Sequence, residues 1–303
     1  MDILIQVLFG GLSNAAVYAL IAFGYSLTYI TTETLNFAQG EFVMLGSILG
    51  IYMVMVWQND GALSGSPRLL WPLWVAYILA VLIMAGAGVL LERYVMRPFS
   101  TGLSISWIMS TVALAIILRN LVEVLLGADR MPLQPAIKDS VRIGDVPVDY
   151  QKIVNIVITL VVIGVLQLFF TRTLLGKSVK AVAFNPTAAS LMGINVNFVK
   201  LLAFALCGGL AALGGLLLTP VIGGMGADTG TGFGIAAFAV AIIGGLDNLA
   251  GIAIAALIYG LTEQLIQNYI SIDFYRALTF LLLIVVLAVK PTGLFGKQLV
   301  QKV

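Results

Sequence analysis

The sequence predicts an all-α protein, a polytopic membrane bundle of about eight to ten transmembrane segments, some of them broken or re-entrant. Two observations carry this expectation. The 303 residues are 60% apolar and 10% charged, with a mean hydropathy of +1.07, whereas soluble domains run near 45–50% apolar and about 25% charged. At the soluble rate the chain needs roughly 76 charged side chains, and it has 16 basic and 14 acidic ones. So few ionisable groups leave large apolar patches on any water-exposed globule, so the solvent around most of the surface is lipid. The second observation is the recurrence of apolar runs of about 18 or more residues, each long enough to cross roughly 30 Å of hydrocarbon at about 1.5 Å per residue.

Taken in order, the runs cover residues 3–30, 37–57, 69–91, 106–126, 153–170 and 199–221. The first holds Gly10-Gly11 and Ser13-Asn14, so it is read either as one long span or as two passes. Residues 223–234 carry six glycines and lead into an apolar block at 235–243, a break at Gly244-Gly245-Leu246-Asp247-Asn248, a run at 249–270 and a last span at 274–289. The segment 127–152 is interrupted by Pro132, Pro135 and Pro147, which argues against a long helix and for an ordered external excursion. No soluble domain or linker is visible, so residues 1–303 form a single transmembrane domain.

The distribution of lysine and arginine orients the chain. Residues 171–200 carry Arg172, Lys177, Lys180 and Lys200 with no acid, and the end of the chain carries Lys290, Lys297 and Lys302. Placing both on the cytoplasmic side, with Arg93 and Arg97, gives nine basic residues inside. Arg68, Arg130, Lys138, Arg142, Lys152 and Arg276 are the six outside, and Arg119 lies within a span. The carboxyl terminus is then cytoplasmic, and the amino terminus is outside unless the first run is broken. Met1-Asp2 has no basic lead and the first run is too long for a signal sequence, so no cleaved segment is expected.

Composition excludes much chemistry. With no histidine in the chain, a histidine triad, an imidazole base and most zinc or haem sites are ruled out. The single cysteine, Cys207, reads as a small buried hydrophobe. A net charge of +2 gives no footprint for nucleic acid. Gly176-Lys177-Ser178 is not the end of a phosphate loop, because Thr171 stands where the first glycine belongs. No nucleophile and base stand at a recognisable spacing, so no catalytic residue, metal or cofactor is assigned and an enzyme is not expected.

Two sets of residues carry candidate function. Between two spans, Asn185 suits a helix cap, Pro186 the first helical position and Gly193 a left-handed stop, which predicts a short punctuated helix with Phe184, Leu191 and Met192 as apolar contacts. Such a helix either docks into a groove on a cytoplasmic partner or rests on the membrane surface. The second set is the charge at membrane depth, where each ionised group costs about 3 kcal/mol or more unless paired or wet. Glu41, following Asn36 and Gln39, is read as interfacial or as lining a cavity. Arg119 and Glu123, four apart, are read as a local ion pair. Asp247, in the glycine break beside Asn248, is the strongest pathway candidate, because irregular backbone at depth needs protein or water against it, and Asn36, Gln39, Glu41 and Asn248 are further candidates. Glu263, with Gln264, Gln267 and Asn268, marks a polar outer end. Glycine and alanine at small-x-x-x-small spacing, as in Gly46 with Gly50 and Gly208 with Ala212, allow close helix packing.

Four stretches, in order, resemble the LivH-type permease of branched-chain amino acid ABC importers. They are Leu35-Asn36-Phe37-Ala38-Gln39-Gly40-Glu41 with the Phe42-Val43-Met44-Leu45-Gly46 that follows, Ala188-Ala189-Ser190-Leu191-Met192-Gly193-Ile194-Asn195-Val196, Ile243-Gly244-Gly245-Leu246-Asp247-Asn248-Leu249-Ala250-Gly251, and Lys290-Pro291-Thr292-Gly293-Leu294-Phe295-Gly296. The resemblance implies a bacterial inner-membrane subunit that pairs with a similar LivM-type permease, two cytoplasmic ATPases and a periplasmic amino-acid-binding protein. It also implies that Phe184, Asn185, Pro186, Ala189, Leu191, Met192 and Gly193 form the coupling segment. Two departures bear on the substrate: histidine is common in the family where Gln39 stands, and glycine where Asp247 stands. Permeases for urea, short amides or other amino acids are similar enough to remain an alternative reading. An ion-coupled secondary transporter or a channel is the reading from other classes, and either would move solute without ATPases.

Overall fold

The computed structural model describes residues 2–54, 73–99, 105–127, 129–133, 140–143, 146–271 and 274–296. Among them run α1 (Asp2–Thr32), α2 (Gln39–Val54) and α3 (Leu73–Leu90), the last continued by a π turn at Leu91–Met96 and a 3-10 turn at Arg97–Phe99. Then follow α4 (Ser106–Leu126), an antiparallel ribbon of β1 (Ser140–Ile143) and β2 (Val146–Asp149), α5 (Tyr150–Arg172), α6 (Leu174–Phe184) and α7 (Pro186–Leu191). The chain ends with α8 (Val196–Ile222), α9 (Thr229–Gly244), α10 (Leu249–Tyr269) and α11 (Tyr275–Val289). Six of these helices are long and apolar enough to cross a membrane. The shorter apolar helices α2, α9 and α11 have 16, 16 and 15 residues, or about 22–24 Å at 1.5 Å per residue.

The first run is one unbroken helix, and the two-pass alternative falls. Its glycines serve packing: a Cβ at Gly11 would lie 2.8 Å from the Leu261 side chain and 3.2 Å from the Gly260 carbonyl of α10. Breaking the helix there would strand backbone groups that lipid cannot satisfy. Glu33, at φ +56°, ends it.

The core is α1 against α8. They run antiparallel, with Gly24 at the level of Cys207, and Asn155 of α5 bridges the Ser13 hydroxyl and the Leu217 carbonyl further along. The most apolar window of α8 is 72% buried and that of α1 61%, against 11% for α4, so α4 and α5 are the lipid-facing or partner-facing edge. The small-residue spacing does what it predicts. A Cβ at Gly46 would land on Ala212, and one at Gly208 on the backbone of Met84 in α3.

Register also fixes depth. α2 runs parallel to α8, with Gln39 bonded to the Cys207 carbonyl and Gly50 packed on Leu216. Cys207 lies 11 residues into α8, so α2 starts about 17 Å along that helix and covers only half the bundle. α9 packs antiparallel on α2 through Gly40, Gly230 and Gly234. α2 and α9 are thus short helices that meet inside the bundle. The amino terminus and the β ribbon share one end, and α7 and the end of α11 share the other.

The bundle is all-α, and the 127–152 excursion beside it holds the short β ribbon, with Ser140 opposite Asp149 and Ile143 opposite Val146. Met131 pairs backbone to backbone with Met225, tying it to the glycine-rich turn. Pro135, Lys138 and Asp145, the span parts at 55–57 and 69–72, and Arg68, Lys297 and Lys302 lie outside the described residues.

Candidate coupling and translocation sites

The short helix between α6 and α8 forms as its punctuation requires. The Asn185 Oδ1 accepts from the Ala188 amide at 2.9 Å, and Pro186 occupies the first turn. The Gly193 amide bonds the Ser190 carbonyl and the Ile194 amide bonds that of Ala189, both at 3.0 Å, closing a Schellman stop around Gly193 at φ +83°. Ala189 alone of the helix is buried. Phe184, Leu191 and Met192 are 88%, 83% and 83% exposed. The sequence missed α6, which folds back from α5 so tightly that a Cβ at Gly176 would strike the Phe169 and Phe170 backbone. Its Val179 and Val182 are buried, so α6 anchors α7 to the bundle.

The pathway candidates fall into separate places. Asn36 and Gln39 are fully enclosed between α1, α2 and α8. The Asn36 Oδ1 accepts from the Ala38 amide at 3.0 Å, and its Nδ2 donates to the Gln39 Oε1 at 3.3 Å. That oxygen also accepts from the Cys207 Sγ at 2.8 Å, while the Gln39 Nε2 donates to the Cys207 carbonyl at 3.3 Å. Cys207 is therefore a buried polar partner as well as a hydrophobe. Glu41, two residues further along α2, is 3% exposed and accepts the Thr231 hydroxyl of α9 at 2.8 Å. It lies deep in the bundle, so its interfacial reading falls.

Asp247 and Asn248 stand on the other side of α1. Ser26 donates to the Leu246 carbonyl at 2.7 Å, whereas Gly24 faces Gln39. Residues two apart are about 200° apart around a helix, so α1 separates the two groups. Asp247 is exposed. Asn248 caps α10 through the Gly251 amide at 3.1 Å and donates to the Phe295 carbonyl at 3.2 Å. The Leu294 amide bonds the Ile243 carbonyl at 2.7 Å. The 243–251 and 290–296 motifs are thus one structural unit.

Two readings of charge need correction. Arg119 and Glu123 are both exposed on α4, and no ion pair closes between them. The pairs among the described residues include Glu92 with Arg97 at 3.0 Å and Asp149 with Lys152 at 3.3 Å. Glu263 is not a polar surface end but 5% exposed, accepting the Tyr18 hydroxyl at 3.0 Å and the Asn14 amide at 3.5 Å, both from α1. Among the described residues no cluster of three metal-ligating side chains occurs.

Comparison with known proteins settles the class. The family model for the permease component of branched-chain amino acid transport systems matches residues 7–287. The chain belongs to this family. The permease is 30% identical to the LivH permease protein of the high-affinity branched-chain amino acid transport system of Escherichia coli K12, over 99% of this chain and 97% of that one. It is 29% identical to the BraD permease of Pseudomonas aeruginosa, over 99% and 98%. It is also 29% identical to a probable LivH permease of Methanocaldococcus jannaschii, over 96% and 92%. No solved structure matches it. The permease is a multi-pass membrane protein and the transport subunit of its system.

Proposed function

We propose that this permease carries branched-chain amino acids as half of the membrane core of an ATP-driven importer in a bacterial inner membrane. In this reading a periplasmic binding protein delivers the amino acid at the β-ribbon end, a LivM-type permease forms the other half, and two ATPases dock at the α7 end, which is cytoplasmic. Closure of the ATPases on ATP moves α7, α6 transmits that movement into α1 and α8, and the path opens inward. The proposed lining is Asn36, Gln39, Glu41, Asp247 and Asn248, the first three of which are enclosed in this structure and meet the solute only as the bundle opens. Since a binding protein has already selected the solute, the membrane path needs only weak, mostly apolar contacts.

The observation that carries the reading is α7 itself. It is capped at both ends and held by one buried alanine, and Leu191, with Phe184 before the helix and Met192 at its stop, leaves three large apolar side chains exposed. Burying each in a partner groove stabilises a complex by roughly 1.5–3 kcal/mol, enough for a docking handle. Sidedness agrees. Arg93, Arg97, Arg172, Lys177, Lys180, Lys200 and Lys290 all sit at the α7 end, the distribution of a cytoplasmic face.

The test replaces Leu191 and Met192 by aspartate in the complete complex. The account expects an inserted, assembled permease whose ATP-driven leucine uptake falls at least tenfold. Unchanged uptake removes the coupling assignment.

A further inference from the structure

Glu263 is a buried carboxylate for which the coupling mechanism has no use. It lies on α10, six residues before the end of that helix at Tyr269, about 9 Å along the axis from the β-ribbon end. Tyr18 and Asn14 hold it from behind. In front, α9, α10 and α11 enclose a groove of about 530 Å³, lined by Glu263 and by Arg276 of α11, within the range of about 300–1,000 Å³ common for small-molecule sites. The groove's walls are otherwise aromatic and aliphatic. Tyr259 stands edge-on to Tyr18 at 5.5 Å, Phe233 lies 6.1 Å from the same ring, and Phe280 and Ile284 close the α11 side.

Among the described residues the two charges of this groove feel each other at a distance but close no ion pair. Glu263 has hydrogen-bond donors, but among the described residues no cationic side chain lies within ion-pair distance of it. The Arg276 guanidinium donates to the neutral Tyr275 hydroxyl at 2.9 Å and lies across from Gly232 of α9. A carboxylate at this depth is costly unless it meets a cation. A groove that offers one carboxylate, one guanidinium and an apolar floor between them is matched by a small zwitterion with an apolar side chain.

We propose that this groove is the outer binding site for the amino acid, with the α-ammonium on Glu263, the α-carboxylate on Arg276 and the branched side chain against Phe233 and Phe280. The assignment rests on the importer reading and deepens it, by giving the solute a first foothold on the permease. Tyr18 is a positioning residue, since its hydroxyl fixes the carboxylate from behind. A phosphatidylethanolamine head presents the same ammonium and oxyanion, so the test separates the two sources.

The test uses the complete complex in two arms. In the first, binding of radiolabelled leucine is measured without the binding protein, and bound lipid is identified by mass spectrometry. Glu263→Gln and the exposed Arg276→Gln each weaken leucine binding at least tenfold, Arg119→Gln leaves it unchanged, and leucinamide, which keeps the ammonium, loses its dependence on Arg276 alone. Leucine binding that is indifferent to both groove substitutions overturns the proposal. So does phosphatidylethanolamine that co-purifies with the wild type and is lost in Glu263→Gln while leucine does not bind. In the second arm, ATP-driven leucine uptake is followed in vesicles. Wild-type vesicles that fail to import leucine sink the importer reading, whereas import by the wild type and by both groove variants alike sinks the groove alone.

Discussion

The α7 helix and the Gln39 cluster invert each other. At α7, Phe184, Leu191 and Met192 turn apolar surface outward. Around Gln39, side chains of Asn36 and Cys207 and a backbone carbonyl are sealed in an apolar bundle, every one of them hydrogen-bonded to a neighbour. The lesson is where the free energy is left to be gained. The cluster is complete within the chain and holds the start of a half-length helix at mid-bundle. On the proposed reading, the handle gains its burial from another chain. Damage to the first is therefore read as stability, and damage to the second as coupling.

The largest effect is expected from Gly46→Leu, which drives a side chain into Ala212. Overpacking of this kind costs about 3 kcal/mol or more when the clash is with backbone, and the variant should yield little monodisperse protein in detergent. Recovery at wild-type levels would mean that the α2–α8 approach is looser than drawn here.

Gln39→Leu is next. It leaves the Cys207 carbonyl and the Asn36 amide without their partner, at a cost of about 1–3 kcal/mol, so thermal unfolding should shift down. The Leu191→Asp, Met192→Asp variant should unfold at the wild-type temperature. A shift in the handle variant equal to that in Gln39→Leu would erase the contrast between the two regions.

Smaller again is Asn185→Ala. Loss of the cap costs the short helix about 1 kcal/mol. That is enough to lower ATP-driven uptake several-fold without moving the global transition, and uptake in vesicles beside a melting curve checks both halves. The smallest effect belongs to Arg119→Gln combined with Glu123→Gln, exposed on α4, where surface changes stay within about 0.5 kcal/mol. Asp247→Asn should disturb uptake more than this double variant does. Equal effects would leave Asp247 a part of the turn and nothing more.

What the sequence made legible was local. The caps, proline and glycine of α7 sit within nine residues, and each acts on its own backbone, so the helix and its stops were readable. The small-residue stripes were readable for the same reason. The depth of α2 was not, because a half-length helix differs from an interfacial one only in its register against α8, which no local pattern encodes. Glu263 shows the limit most plainly. Its neighbours Gln264, Gln267 and Asn268 suggest a wet end, but its partners Tyr18 and Asn14 are 245 and 249 residues away. The split of Asn36 and Gln39 from Asp247 and Asn248 by α1 is likewise a fact of packing. The one cue the sequence did offer for Glu263 was its place on a helix otherwise apolar enough to cross the membrane.

The central claim is that the permease has no motor of its own and is worked through α7 by companions that hydrolyse ATP. Leucine uptake into vesicles, measured with the permease pair alone and then with the ATPases and ATP added, tests it most directly. The account predicts no accumulation until both are present; accumulation by the permease pair alone, in the absence of any nucleotide-hydrolysing subunit, contradicts it.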